Sequence, residues 1–202
     1  MDWVGNLVLL DMPGADSKLL SWKGLPVDVV RNRMAMDALS LKARYIFFLD
    51  SDVMPPSTAI NKLKGWRLPI VSGLYWSKRG HVAAWRRAPG LTDKYVPLRP
   101  EEKPNETLIE VDVIPMGCAL IDTRVFQVIP QPWFDWTVTD PLKHEGLTED
   151  FFFCHKAQEY GFRIYLDMAV RCLHEGLIPI DVEGKNALHS EQAAEMVKLG
   201  GG

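Results

Sequence analysis

The sequence predicts an α/β fold: one domain with a mainly parallel central sheet, helices on its faces and a small second antiparallel element. Three observations carry this expectation. Apolar runs rich in β-formers alternate with stretches of helical periodicity, in the order strand, helix, strand, helix, strand, which implies right-handed crossovers and a parallel sheet. The most marked run, Arg44-Tyr45-Ile46-Phe47-Phe48-Leu49, is continuous rather than alternating, as in a strand buried on both faces, and it ends at Asp50-Ser51-Asp52. The 202 residues, 47% of them hydrophobic, fit one domain with a sizeable core.

Taken in order, Val4 to Leu10 reads as a strand ending at Asp11, with Met12-Pro13-Gly14 as a turn. Ser17 to Trp22 reads as a short helix stopped by Gly24. Leu25 to Val30 reads as a short extended segment that Pro26 places at an edge. Arg31 to Leu41 has helical periodicity, with Val30, Met34, Ala38 and Leu41 on one face. After the Asp50-Ser51-Asp52 strand, Pro56-Ser57 opens a second helix whose apolar face is Ala59, Ile60 and Leu63; proline belongs in a first helical turn. Pro69 to Trp76 reads as the next buried strand and runs into a basic loop, Ser77-Lys78-Arg79-Gly80. Val82 to Trp85 is a short strand. Residues 87 to 107, rich in proline and charge, read as a loop over the site.

Leu108 to Val113 alternates as a strand, and Pro115 to Ile121 follows, with Gly117 at a close backbone approach. Thr123 to Val128 is a short helix. Gln131 to Trp136 is an aromatic cluster in a proline-bounded loop. Thr148-Glu149-Asp150 leads into a helix from Phe151 to Tyr160, stopped by Gly161. Arg163 to Asp167 and Val170 to Leu173 are short strands, and His174 follows directly. Lys185 to Leu199 reads as an amphipathic helix, so the expected division is a domain over residues 1–181 and a C-terminal helix and tail over 182–202.

Bulk properties exclude some classes. The net charge of −3 advertises neither nucleic-acid nor anionic-membrane binding. Three widely spaced cysteines, Cys118, Cys154 and Cys172, form no CxxC pair and suggest neither a zinc site nor a disulfide framework. No apolar run approaches the ~20 residues of a membrane span, and the first residues lack the basic and apolar regions of a signal peptide. A cytoplasmic location is the expectation.

Several side chains have a chemical and an ordinary reading. Asp50 and Asp52, one residue apart in an extended segment, point the same way beyond a strand end, where open α/β sheets bind ligands. Hard oxygen ligands so placed suit Mg2+ or Mn2+ holding a phosphate. The ordinary alternative is a turn before Pro55-Pro56 that caps a helix, but two acids on one strand end exceed what a turn needs. Asp11 is a second acid at a strand end. Arg31 is either a solvated surface charge or a phosphate contact. Trp133 and Trp136 are either core or a stacking wall for a sugar or another ring. Glu149 and Asp150 fit a first helical turn behind a Thr148 cap, where the helix dipole favours them. A lone histidine such as His174 is more often structural than a ligand.

Four stretches in this order carry a resemblance: Val30-Arg31-Asn32-Arg33-Met34-Ala35; Phe48-Leu49-Asp50-Ser51-Asp52; Met116-Gly117-Cys118-Ala119-Leu120-Ile121; and Thr148-Glu149-Asp150-Phe151-Phe152-Phe153 with Cys172-Leu173-His174. Across residues 5 to 176 the chain resembles the nucleotide-sugar glycosyltransferases of the A-type fold (GT-A, Rossmann-like), closest to the family-two-like enzymes and their small phage and microbial relatives. Asp50-Ser51-Asp52 looks like that family's DxD motif. The resemblance implies a metal-dependent transfer of a sugar from a nucleoside-diphosphate sugar, UDP- or GDP-linked, to an acceptor hydroxyl of unknown identity. Asp50, Asp52 and His174 would hold Mn2+ or Mg2+ against the diphosphate, where the ion neutralises the departing charge. Asp150 would be the general base, with Glu149 as runner-up, and one base with direct displacement implies inversion. Asp11 would contact the nucleobase; Arg31, Lys78 and Arg79 the donor phosphates; Trp133, Phe134 and Trp136 the acceptor. The family's usual first strand and loop have no counterpart beyond Met1 to Gly5, and the interval from Asp11 to Arg31 is short.

Other readings compete. Phe-Phe-Leu-Asp-Ser-Asp-Val also matches the first motif of haloacid-dehalogenase-type phosphatases, although that motif normally lies near the N-terminus and the later lysine and paired acids are not evident. A nucleotidyltransferase usually carries a glycine-rich basic N-terminal loop, which is missing here. A non-catalytic nucleotide-sugar-binding domain is the remaining alternative.

Overall fold

A computed structural model describes residues 10–12, 14, 17–22, 24–78, 80–90, 94–99, 101, 106–140 and 145–175. The expected strand before Leu10, Arg79, the C-terminal helix and the 182–202 tail lie outside the described residues.

The elements are α1 (Val27–Ser40), β1 (Tyr45–Leu49), β2 (Val53–Met54), α2 (Ala59–Gly65), β3 (Ile70–Leu74), β4 (Trp85–Arg87), β5 (Tyr95–Pro97), β6 (Leu108–Val111), β7 (Cys118–Asp122), α3 (Arg124–Val128), β8 (Thr137–Asp140), β9 (Glu145–Leu147), α4 (Glu149–Glu159), β10 (Ile164–Arg171) and β11 (Leu173–His174). Five strands form the main sheet in the order β1-β7-β3-β10-β6. Side chains alternate across it with the period of two that a strand imposes. Ile46 and Phe48 of β1, Ala119 and Ile121 of β7 and Ile164 and Leu166 of β10 face one core with Ala35 and Ala38 of α1 and Phe153 and Ala157 of α4. Cys118 and Leu120 of β7 and Val71 of β3 face the other, with Ala59 and Leu63 of α2.

This α/β arrangement differs from the mainly parallel sheet that the element order predicts. β3 and β10 run parallel, but β7 lies antiparallel between β1 and β3, and β6 is antiparallel to β10. The sheet is mixed because the chain leaves β3 through short strands and returns along β7 with no α-helical crossover among the described residues. Among the described strands β1 is an edge whose residues alternate between buried and half-buried, so the run expected to be buried on both faces is fully buried on one only; the fully buried strands are β3 and β7.

Local differences have local causes. Helix α1 begins at Val27, directly after Pro26, whose fixed φ and missing N–H suit a chain entering a helix, and Asp28 lies in the first turn, where the helix dipole favours it; Val27 to Val30 are therefore helical rather than extended. Ser17 to Trp22 has no regular element. Val82 makes a single bridge to Trp76, and the strand there starts at Trp85. The 87–107 region holds half of the β4–β5 hairpin. Arg163 to Leu173 is mostly one strand, β10, whose register shifts between Asp167 and Arg171. A β8–β9 hairpin, which the sequence reading missed, precedes α4.

Three small devices position the site. β2 pairs with β11, Val53 opposite His174 and Met54 opposite Leu173. Asn32 of α1 pins the loop before β8: its amide donates to Phe134 O at 2.7 Å and to Asp28 O, and its Oδ1 accepts from Trp133 N at 3.0 Å and from Phe134 N. Gly117 is the close approach that the sequence suggests. Its N–H donates to the Tyr75 hydroxyl at 3.1 Å, and a Cβ there would collide with that hydroxyl and sit 2.9 Å from Val53 Cγ2.

Candidate active site

Arg31, Ala35 and Ala38 form the buried stripe of α1, at i, i+4 and i+7. The arginine therefore points inward with the alanines, and at 5% exposure it is not a surface charge. On α4 the buried stripe is Glu149, Phe153, Cys154 and Ala157. The two stripes meet at their heads, where Arg31 Nη1 donates to Glu149 Oε1. Arg31 Nη2 donates to both oxygens of Asp50, each at 3.2 Å. Burial works against the guanidinium charge, but Asp50, Glu149 and Asp150 outweigh it and hold its pKa above the ordinary value. Glu149 is pushed up by burial and by Asp150, against Arg31.

A second cluster centres on Asp52. Its Oδ2 lies 2.7 Å from Lys78 Nζ and 3.3 Å from His174 Nε2. The histidine is 122 residues away in sequence, and the β2–β11 ladder brings it there; Glu175 N–H also donates to Asp52 O at 2.6 Å. His174 Nδ1 donates to the Trp76 carbonyl at 2.7 Å, since a carbonyl only accepts, and the ring stands edge-on to Tyr75, centroids 5.3 Å apart. Tyr75 links the clusters, because Gly117, bonded to its hydroxyl, accepts Asp50 N–H at 3.2 Å on its own carbonyl. The His174 bond, helped by Lys78, holds Asp52 well below the usual carboxylate range despite its partial burial. The same bond raises His174 against its own burial.

Asp150 is half-buried beside Glu149. Its Oδ1 accepts from the Thr148 hydroxyl and from Phe151 N–H, the latter at 3.0 Å. Burial raises its pKa and these bonds oppose the rise. Trp136, 51% exposed, directly precedes β8. Thr137 pairs with Leu147, so Trp136, like Thr148, lies one residue beyond that pair of the β8–β9 ladder. Its sequence neighbours behave differently. Trp133 and Phe134 are 2% and 1% exposed. The Trp133 indole N–H donates to Ile129 O at 2.8 Å and to Phe126 O, and Phe134 stacks on Phe153 at 4.8 Å. Both belong to the core and offer no wall to an acceptor, which corrects the expectation for them. Asp11 is exposed, and its N–H donates to Ser57 O at 2.9 Å, beside the start of α2.

Sequence reasoning missed Tyr75, the bond from the Thr148 hydroxyl to Asp150 and the full role of Asn32. Asn32 stood next to Arg31 in a motif, and a polar residue one step from an inward-facing arginine was a readable signal. Nothing in the sequence marked Tyr75.

The expected three-residue metal set is not assembled. Asp50 is turned onto Arg31, and among the described residues no three His, Cys, Asp or Glu side chains converge on one point. Asp52 and His174 do face one another. A carboxylate oxygen and an imidazole nitrogen, the imidazole oriented by a carbonyl on its other nitrogen, form the usual build of a metal-binding pair. Mg2+ commonly takes only one or two protein carboxylates beside substrate phosphates. The pair fits such an ion with two protein donors.

No family model and no curated protein sequence matches the chain. Among solved structures, the crystal structure of A197 from STIV matches with a TM-score of 0.59 at 18% identity, over 81% of this chain and 75% of that one. The two chains share a fold. Among the described residues no helix is long and apolar enough to cross a membrane.

Proposed function

We propose that this chain is a GT-A-type glycosyltransferase, moving a sugar from a UDP- or GDP-sugar to an acceptor hydroxyl with inversion, aided by Mn2+ or Mg2+. The observation that carries this reading is the β2–β11 ladder, which sets Asp52 at the end of one strand against His174 on another, beside a buried arginine that binds Asp50 and Glu149. Asp52 and His174 would hold the cation. When bound, it would neutralise charge on the departing nucleoside diphosphate. Lys78 would meet the phosphates together with Arg79, and Asp11 is the candidate contact to the nucleobase. Asp150 is the better base of the two acids: Glu149 is buried and committed to Arg31, whereas both bonds to Asp150 fall on Oδ1. Its Oδ2 would take the acceptor proton as that oxygen attacks the anomeric carbon. Trp136 would stack against the acceptor.

The test is release of UDP or GDP from a panel of nucleotide sugars, with Mn2+ and with EDTA. Metal-dependent release that disappears in Asp52→Ala is the expected result. Phosphate release from a phosphomonoester, without donor cleavage, would replace the reading by the phosphatase one. Donor binding without cleavage in the presence of a broad acceptor mixture would reduce the chain to a binding domain.

A further inference from the structure

The Asp52 carboxylate already carries a cation. Lys78 Nζ lies 2.7 Å from Oδ2, the same oxygen that faces His174 Nε2 at 3.3 Å. The neighbouring aspartate offers no substitute, because Arg31 Nη2 donates to both Asp50 oxygens. Lys78 sits in a tight turn after β3: Ser77 N–H donates to His81 O at 2.8 Å and Gly80 N–H to Ser77 O at 3.0 Å. The same segment supplies the Trp76 carbonyl that orients His174. The turn thus fixes the Lys78 backbone beside Asp52 while the side chain, 54% exposed, ends in an ammonium on a flexible stem. A divalent ion arriving at Oδ2 would meet that ammonium at hydrogen-bond distance, and two cations so close repel.

We propose that Lys78 competes with the divalent cation for Asp52 Oδ2, and that its ammonium moves onto the diphosphate when the ion takes its place. Lys78 then acts as a positioning residue that ties loading of the ion to arrival of an anion. The competition stands on the Asp52 geometry alone; the diphosphate rests on the function proposed above.

The experiment is a titration of the metal-free full chain with Mn2+, followed by electron paramagnetic resonance, on the wild type, Lys78→Met and Lys62→Met. Lys62 is an exposed residue of α2 that carries the same charge. Removing a partly exposed competitor should tighten Mn2+ binding about three- to fivefold in Lys78→Met, while Lys62→Met stays within about twofold because an exposed charge with no bond to Asp52 is screened. Calorimetry with preformed Mn2+·UDP and Mn2+·GDP should show the opposite sign, with Lys78→Met weaker for the complex that the wild type prefers. Unchanged or weaker Mn2+ binding in Lys78→Met, or equal tightening in Lys62→Met, overturns the competition. Unchanged affinity for both nucleotide complexes overturns the transfer onto diphosphate. Donor cleavage by the wild type, scored separately, decides the glycosyltransferase reading. Tighter Mn2+ binding in Lys78→Met with no donor cleavage keeps the competition and removes that reading.

Discussion

Arg31 and Glu149 each head the buried stripe of their own helix, and they meet there as an ion pair with side chains 6% and 8% exposed. The pair ties the two helices together by charge, above a core to which both contribute, Ala35 and Ala38 from α1 and Phe153 and Ala157 from α4.

Removing one member of such a pair leaves an uncompensated buried charge. Arg31→Met should cost about 3–5 kcal/mol, read as a lower urea midpoint at an unchanged slope. Adding Glu149→Gln should restore most of the loss, because the buried charge is then gone and Asp50, with its side chain 41% exposed, is solvated. A double variant as unstable as the single one would show that the helix heads do not depend on this pair.

Trp133 and Trp136 should separate cleanly. Trp133→Ala empties a core site and should cost about 3–5 kcal/mol. Trp136→Ala should stay within about 0.5 kcal/mol of the wild type in thermal unfolding, yet raise the KM for acceptor. A large stability loss at Trp136 would place it in the core instead.

The Asp52–His174 pair makes stability depend on pH in a defined window. His174 is raised from 6.5, so its contribution is complete below that pH and is lost as pH rises through the higher folded value. Asp52 is lowered from 3.8, so its contribution is complete above that pH and is lost as pH falls toward the lower folded value. In metal-free buffer the wild type should therefore exceed His174→Asn by a constant margin between 3.8 and 6.5. The margin should shrink on either side of that window. A margin that grows above pH 6.5 would reverse the assignment.

Asp150 and Glu149 should differ in kinetics. Asp150→Asn should keep donor affinity and lower kcat by about 10²–10⁴-fold, the usual worth of a general base. Glu149→Gln should act mainly on stability, through Arg31. Because burial raises Asp150 above 3.8, the acid limb of the wild-type pH profile should lie above that value. Retained turnover in Asp150→Asn would move the base to Glu149.

Much of this was legible from short-range pattern. The run from Tyr45 to Leu49 is a strand because its residues are apolar and β-favouring on both faces, and α4 ends just before Gly161 (φ +82°) as expected, although it begins at Glu149, two residues ahead of the expected Phe151. Strand direction was not legible. Nothing in Cys118 to Asp122 states that it inserts antiparallel between β1 and β3, since direction depends on the path of the intervening chain. Residue type also did not separate Trp136 from Trp133; that difference is set by Asn32, 101 residues earlier, through its bond to the Trp133 amide. The β-branched run Thr137-Val138-Thr139 was a readable sign of β8.

No two neighbours in the five-stranded sheet are consecutive in the chain. Each ladder closes a long loop before it returns any stabilisation, which slows folding. β10 lies inside the sheet, and β6 joins it only through β10. On a ribosome, β3 and β6 would wait with open edges until residues 164 to 171 emerged, and open edges are where partly made chains associate wrongly. His174 lies three residues after β10 ends and reaches Asp52 in the same late event. This chain therefore gains its last sheet strand and its candidate ion site together, and a nascent chain that stops short of β10 has neither.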